Sequence, residues 1–306
     1  MKAVVFDEFG GPDVLHEAEV GVPQPGPKQL RIRVHAAGVN PIDWKIRKGL
    51  MQPNLPRKLP AIPGSEAAGV VEAVGAEVTG FAAGDDVFGW TRGGAYCEQA
   101  LLTIFAPKPR GLTFEQAAAL PLAGETAERG LRFLQVTEGD TLLIHGASGA
   151  VGSYAVQLAV ARGARVLGTA GPGNQDYLAS LGAEPLVYGD GLVDRVLALA
   201  PGGVDAVFDV AGRGTLGESI ELTGGSADRI VTLADSEGSE KYGVKYSGGP
   251  GDSIQSPELL ADLAGRAVRG ELKITVSRAY PLSDAADAQR ESETGHGRGK
   301  LIIAVA

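Results

Sequence analysis

The stretch Leu142-Leu-Ile-His-Gly-Ala-Ser-Gly-Ala-Val-Gly152 constrains this chain more than any other. An apolar strand runs into a glycine-rich turn and then, without a break, into the helix Ser153–Ala161. Gly149 lets the backbone approach a pyrophosphate, and Gly152 lets the helix pack tightly on the strand. Unpaired amides at the helix start face the phosphates, where the helix dipole favours negative charge. Against the spacing G-x-G-x-x-G, Ala147 fills the first glycine slot and Gly146 precedes it. With a strand before and a helix after, the turn predicts a dinucleotide site made of Gly146, Ala147, Ser148, Gly149, Ala150, Val151 and Gly152.

The surrounding texture agrees. From Thr141 onward, apolar strands (Thr141–His145, Arg165–Thr169, Pro185–Val187, Ala206–Val210 and Arg229–Leu233) alternate with helical stretches such as Asp176–Leu181 and Leu192–Leu199. That alternation predicts parallel βαβ units and a doubly wound sheet. Before it, short alternating runs (Lys2–Phe6, Gln29–Ala36, Ala67–Val74, Asp86–Trp90 and Glu98–Ile104) predict a small all-β unit. Proline-rich loops at Val22–Pro27 and Pro53–Pro63 separate those runs. Thr113-Phe-Glu-Gln116 reads as a capping box, followed by helical Ala117–Leu120 and Thr126–Leu134. Leu259–Val268 and Ser283–Arg290 read as helices, and Leu272–Ser277 and Lys300–Val305 as strands that return to the first unit. The expected domains are 1–115, 116–247 and a returning tail 248–306.

Composition removes several classes. With 37 acidic against 28 basic side chains, the net charge of −9 disfavours a phosphate backbone as partner. One cysteine, Cys97, makes neither a disulfide framework nor a cysteine zinc site, and the four histidines show no metal-ligand spacing, so no metal is expected. Cys97 reads as a small buried apolar residue. No run approaches the ~20 apolar residues of a membrane helix. Asp7 and Glu8 stand where a signal peptide would be apolar, and the expected location is the cytoplasm.

The strand that would select the dinucleotide ends in Thr169 and Ala170, without the acid that holds an unphosphorylated ribose. Small neutral residues leave room for a 2′-phosphate and favour NADPH. Pro172–Tyr177 carries no Lys or Arg to neutralise that phosphate, however, and Asp176 is near, so NADH stays open. Val210, Ala211, Gly212, Leu233 and Ala234 end parallel strands at the carboxyl edge and are expected to line the nicotinamide pocket.

At this point the residues resemble a family. Ala36-Ala-Gly-Val-Asn-Pro-Ile-Asp-Trp-Lys45, Pro63-Gly-Ser-Glu-Ala-Ala-Gly-Val-Val71, Gly84-Asp-Asp-Val-Phe-Gly89, Gly93-Gly-Ala-Tyr-Cys-Glu98, Ala118-Ala-Leu-Pro-Leu-Ala-Gly124 and His296-Gly-Arg-Gly-Lys-Leu-Ile302 are ordered as in the zinc-independent medium-chain dehydrogenase/reductases of the quinone oxidoreductase (zeta-crystallin-like) branch. The resemblance covers essentially the whole chain. It implies an α/β protein: a GroES-like β domain plus a Rossmann doubly wound parallel-sheet domain, with the active site in the cleft between them.

The zinc-bearing branch carries Cys where Asn40 stands and His where Ser65 stands, so the resemblance implies no metal. Without a Lewis acid, hydride delivery to a quinone or enone is expected, the developing oxyanion needing only hydrogen-bond donors. By resemblance Asn40 donates to the substrate oxygen. Asp43 and Lys45 lie just beyond, and Lys45 is placed to stabilise an enolate or deliver a proton. Relatives often carry a tyrosine near here, and its absence leaves the proton donor unassigned. Thr126 resembles a threonine that contacts the nicotinamide. Tyr188 stands where the family often puts a tyrosine on the adenosine phosphate, and Arg298 is a candidate for the missing positive charge. Glu125 replaces an apolar residue and has no expected role. The partner is a small quinone or enone, and a homodimer is expected, helped by the edge strand Gly243–Ser247 with its few charges. An enoyl-thioester reductase of fatty-acid or polyketide synthesis and a non-catalytic NADPH-binding protein are the competing readings.

Overall fold

The computed structural model describes residues 1–52, 55–249 and 251–305, so the first two positions of the Pro53–Pro63 loop lie outside the described residues. The chain divides into two units. Unit 1 comprises Met1–Leu122, Gln255–Gly270 and Ile274–Ala306; unit 2 comprises Ala123–Ile254 and Glu271–Lys273.

Unit 1 begins with β1 (Lys2–Val5) and β2 (His16–Glu19), an antiparallel pair. The central strand β3 (Leu30–Val39) leads to helix α1 (Pro41–Arg47), then to β4 (Glu66–Val74), β5 (Asp86–Arg92), β6 (Gln99–Pro107) and the short helix α2 (Phe114–Ala118). Neighbouring strands from β3 to β6 are antiparallel, and β6 pairs back on β3, which closes the ring. Alternate residues Leu30, Ile32 and Val34 of β3 point inward to a core with Val71, Val87, Ala100 and Leu102.

Helix α3 (Pro121–Phe133) begins in unit 1 and continues into unit 2. Unit 2 then runs β7 (Thr141–His145), α4 (Ala150–Ala161), β8 (Arg165–Ala170), α5 (Gln175–Ser180), β9 (Glu184–Val187), α6 (Leu192–Leu199), β10 (Ala206–Asp209), α7 (Leu216–Leu222), β11 (Ile230–Thr232), α8 (Ser236–Tyr242) and β12 (Lys245–Tyr246). The sheet order is β12-β11-β10-β7-β8-β9, with every pair parallel. This is a Rossmann sheet, whose order reverses beside β7 and leaves a crevice at the carboxyl ends of β7 and β10. Helix α9 (Pro257–Val268), β13 (Val276–Pro281), α10 (Ala285–Glu293) and β14 (Lys300–Ala304) belong to unit 1. There β14 pairs antiparallel with β3 from Leu301 opposite Val39 to Ala304 opposite Ala36.

The strand expected at Leu272–Ser277 instead runs from Val276 to Pro281. Its position follows its parallel partner β14, beginning with Val276 opposite Lys300, while Leu272 is buried outside the strand. The polar strand β2 and the helices α7 and α8 carry too weak an apolar periodicity to have been anticipated. Of the edge segment 243–247 only Lys245 and Tyr246 pair, at the end of the unit 2 sheet. No helix of the described residues is long and apolar enough to cross a membrane.

Candidate active site

In unit 1 the end of β3 turns sharply into α1. Pro41 takes the first helical position, where its fixed φ fits and its missing N–H costs nothing, and Asn40 takes the cap with an extended backbone. The Asp43 carboxylate turns back to accept the Asn40 backbone N–H through Oδ2 at 2.9 Å. This leaves the Asn40 side chain for a different task. Its Nδ2 donates to Glu66 Oε1 at 2.7 Å, and its Oδ1 accepts from Lys300 Nζ. Lys300 Nζ lies 2.6 Å from Glu66 Oε1, and Glu66 Oε2 also accepts the Leu122 N–H at 2.6 Å. Neither side chain of this ion pair is more than 1% exposed, so each charge depends wholly on its partners. A Cβ at Gly38 would fall 2.1 Å from Glu66 Oε1; glycine there makes room for the carboxylate.

Asp43 is 2% exposed. Ser65 Oγ donates to its Oδ1 at 3.1 Å and Tyr96 OH to its Oδ2 at 3.4 Å. Burial pushes the Asp43 carboxyl up to about 7, against the hydrogen bond from Asn40 and the attraction of Lys300. Burial also raises the Tyr96 phenol well above its ordinary range, which keeps it a donor. Asp43 and Ser65 line a cavity of about 1010 Å³ in unit 1, together with Ile62, Thr91 and Gly94. Lys45 faces elsewhere: its ammonium lies 5.7 Å from the Trp44 ring centroid, and partial burial lowers its pKa. Thus Asn40 and Asp43 are brought into one cluster, and Lys45 is not part of it.

The sequence reading missed Glu66, Ser65 as a polar contact, Tyr96 and Lys300. A charged residue heading each of the apolar strands Glu66–Val71 and Lys300–Ile303 was a usable signal, since an unpaired charge is not buried. Which charge pairs with which was not legible, because Lys300 lies at the far end of the chain from Glu66, and 260 positions from Asn40, its other partner.

In unit 2, β7 ends at His145 and the chain turns at Gly146, whose φ of +75° is left-handed. The Ala147 N–H donates to the Thr169 carbonyl at 2.9 Å and Gly146 N–H to Thr169 Oγ1 at 3.3 Å, which fixes the turn to the end of β8. Gly149 caps α4, and Ala150 and Val151 form its first turn. A Cβ at Gly152 would sit 2.3 Å from the Gly146 carbonyl oxygen, so only glycine allows this closure. A Cβ at Gly149 would meet only that same oxygen, at 3.6 Å, so the space before the helix start is open. An anion fits there by shape and by dipole.

The other expected cofactor residues ring this turn. Asn174 Nδ2 donates to Ser148 Oγ at 3.4 Å, and Gln175 Nε2 donates to the Ala170 carbonyl at 3.1 Å. Tyr188 is half exposed and leans over Gly171 just past β8. Val210 and Ala211 border Gly146, and Gly212 packs against Ala234, the residue after Leu233. Asp209 organises this rim, its Oδ1 accepting the N–H groups of Ala211 and Gly212 at 3.0 Å and its Oδ2 the Thr232 hydroxyl at 2.7 Å. Thr126 is buried in α3, where Glu125 acquires a role. Glu125 Oε1 accepts from Arg129 Nε and from the Ile254 N–H, both at 3.0 Å, and Arg129 also donates to Ser247. The pair ties Ser247 and Ile254 to the helix. Arg298 is exposed and belongs to unit 1, whereas Tyr188 belongs to unit 2.

Among the described residues no group of three or more His, Cys, Asp or Glu side chains could hold a metal ion. The model of the alcohol dehydrogenase GroES-like domain matches residues 26–108, and that of the zinc-binding dehydrogenase residues 181–303. The chain is 35% identical to a quinone oxidoreductase of Pseudomonas aeruginosa over 99% of each chain. It superposes on a crystal structure of Escherichia coli quinone oxidoreductase complexed with NADPH with a TM-score of 0.87 at 28% identity, covering 99% of this chain and 100% of that one. A structure described as an NAD-dependent alcohol dehydrogenase gives 0.88 at 32% identity, with both chains fully covered. With a closed β unit followed by a Rossmann unit and such similarity end to end, the chain belongs to the quinone oxidoreductase branch of the medium-chain dehydrogenase/reductase family.

Proposed function

We propose that this protein is an NADPH-dependent oxidoreductase that reduces a quinone or an α,β-unsaturated carbonyl by hydride transfer without a metal. One observation carries the reading: a glycine-rich turn open to a phosphate stands in the same chain as a buried cluster that offers hydrogen-bond donors in place of thiolate and imidazole ligands. Unit 2 is the cofactor domain, with Gly146–Gly152 on the pyrophosphate, Thr169 and Ala170 beside the adenosine ribose, Tyr188 on its phosphate, and Thr126, Val210–Gly212, Leu233 and Ala234 around the nicotinamide. Unit 1 is the catalytic domain. When bound, the reduced nicotinamide supplies the hydride. Asn40 Nδ2, which carries a second hydrogen beyond the one given to Glu66, is a donor for the substrate oxygen.

Metal independence is supported by the donor set. Lys300 already puts a positive charge beside Asn40 and Glu66, and a divalent cation there would have to displace it. The match to a zinc-binding dehydrogenase model covers residues 181–303 and so does not include positions 40 and 65, where the zinc-bearing branch carries its Cys and His. A homodimer is supported by the exposed sheet edge at β12, whose cation Lys245 is drawn aside to Asp252 at 3.1 Å. A reducing cytoplasmic setting is supported by the single cysteine, Cys97, whose thiol is pushed up to about 12 by burial and is unreactive.

The reading is tested by following reduced-nicotinamide absorbance with quinones, simple enones and enoyl thioesters, with NADPH and with NADH, after exhaustive chelation. Undiminished NADPH oxidation with a quinone or enone is the expected result. Turnover confined to enoyl thioesters, loss of turnover on chelation, or no turnover would each contradict it.

A further inference from the structure

Reduction of an enone or quinone by hydride leaves a negative oxygen that must take up a proton, and the source of that proton is the open step in this site. Four geometric facts bear on it. Ser65 and Asp43 both line the cavity, but Ser65 is half-buried whereas Asp43 is only 2% exposed, and the Asp43 carboxylate is bonded to the Ser65 hydroxyl at 3.1 Å. The two Asp43 oxygens are not equivalent. Oδ2 accepts from the Asn40 N–H and the Tyr96 hydroxyl, while among the described residues Oδ1 has only Ser65. A proton on Asp43 therefore goes to Oδ1, facing Ser65.

The buried charges do not balance either. The carboxylates facing one another are Asp43 and Glu66, and the cation between them is Lys300. Glu66 contacts Lys300 directly and accepts two amide N–H groups besides. Among the described residues Asp43 has no cation in contact, so it is the carboxyl group that takes a proton when one is available. Tyr96 faces it as a neutral donor from the segment before β6, Ser65 from the residue before β4, Lys300 from β14 and Asn40 from the cap of α1.

We propose that Ser65 delivers the proton that completes the reduction, and that the buried carboxyl group of Asp43 resupplies Ser65 through the Oγ–Oδ1 hydrogen bond. This deepens the reductase reading above and rests on it. For an enone, a C–H bond forms at the β-carbon with the two hydride electrons, which come from the nicotinamide; the alkene is reduced and the nicotinamide oxidised. The alkene π pair shifts to make the enolate. The Ser65 O–H bond then breaks, its proton bonds to the enolate oxygen, and the proton on Asp43 Oδ1 passes to Ser65 Oγ. Asp43 is left as a carboxylate and regains its proton from water, so one solvent proton is consumed per turnover. In its acid form Asp43 donates to Ser65 Oγ, which frees the serine hydrogen to point into the cavity. Ionised Asp43 reverses that hydrogen bond and turns the serine hydrogen away. Turnover therefore falls as pH rises through the range in which Asp43 ionises, near 7.

Two measurements decide it. In the protein without cofactor, carbon NMR of labelled aspartate should show one carboxyl titrating between about pH 6 and 8. That signal should be missing in Asp43→Asn, and it should move upward in Ser65→Ala, which removes a hydrogen bond that favours the ionised form. With cyclohexenone and NADPH, kcat of the wild type should fall above neutral pH. Ser65→Ala should lose about tenfold to a hundredfold in kcat together with that pH limb, whereas Ser65→Thr, which keeps the hydroxyl, should retain the limb. Ser65→Ala is the deciding variant, because Asp43→Asn also disturbs the start of α1. An active wild type whose Ser65→Ala variant keeps the same pH limb, or an aspartate spectrum with no carboxyl titrating near neutrality, would overturn the relay alone. A wild type that oxidises NADPH with no quinone or enone would overturn the reductase reading and the relay with it.

Discussion

Lys300 shows how much one side chain carries in this protein. It is fully buried, yet its ammonium bonds Glu66 and Asn40, and through them it steadies the turn from β3 into α1. Replacing a buried ion pair by apolar groups can be neutral, but removing one partner leaves the other charge desolvated and alone. Lys300→Met should therefore cost about 3–5 kcal/mol of stability. Adding Glu66→Gln to it should recover part of the loss, since a neutral amide tolerates burial without a cation. Urea unfolding midpoints of the single and double variants measure this. A loss below about 1 kcal/mol in the single variant would mean that Glu66 is not a charged group in the folded protein.

Among the elements, the turn between β7 and α4 separates what folding needs from what the cofactor needs. Gly152 serves the fold, because a methyl group there would meet the Gly146 carbonyl oxygen at 2.3 Å and the Ala147 Cα at 2.6 Å, both backbone atoms that cannot move aside. Gly149 has a φ of −71° that any residue adopts, and space beside it. Gly152→Ala should destabilise the protein by about 1–3 kcal/mol. Gly149→Ala should change stability by no more than about 1 kcal/mol while weakening NADPH at least about tenfold, because its methyl group enters the space proposed for the pyrophosphate. Thermal unfolding and fluorescence titration with NADPH separate the two effects. Equal NADPH affinity in Gly149→Ala and wild type would place the phosphate elsewhere.

For the molecule as a whole, the unit 2 sheet ends in a very short strand, β12. An unpaired edge is a template for another chain unless charge or a covering element blocks it. Lys245, the cation on this edge strand, is bonded to Asp252 and lies 4.7 Å from the centroid of the Phe133 ring. Sedimentation at micromolar concentration should give twice the chain mass, in keeping with the two-fold symmetry most soluble oligomers adopt. A monomer mass at that concentration would contradict the proposed dimer. The acidic surface adds a constraint at this scale: a net charge of −9 opposes association with polyanions but does not prevent a local apolar contact.

Local physics made much of this legible in the sequence. The strand, turn and helix at 142–161 are defined by apolar periodicity and glycine spacing within one short stretch, and the helix Leu192–Leu199 is found at its expected bounds. Asn40 and Asp43 entered as site candidates only through the family resemblance of 36–45; Pro41 by itself accounts for the extended backbone at Asn40 and the helix that starts after it. What the sequence alone left open was pairing at long range. The order β12-β11-β10-β7-β8-β9, the return of β14 to β3 and the seating of Lys300 between Asn40 and Glu66 depend on which surfaces bury one another. The chemistry of Asp43 belongs to that second class. An aspartate three residues past a cap reads as an ordinary helix-start acid. Only desolvation in the folded protein, with the neighbouring lysine already bonded to Glu66, pushes its carboxyl up to about 7.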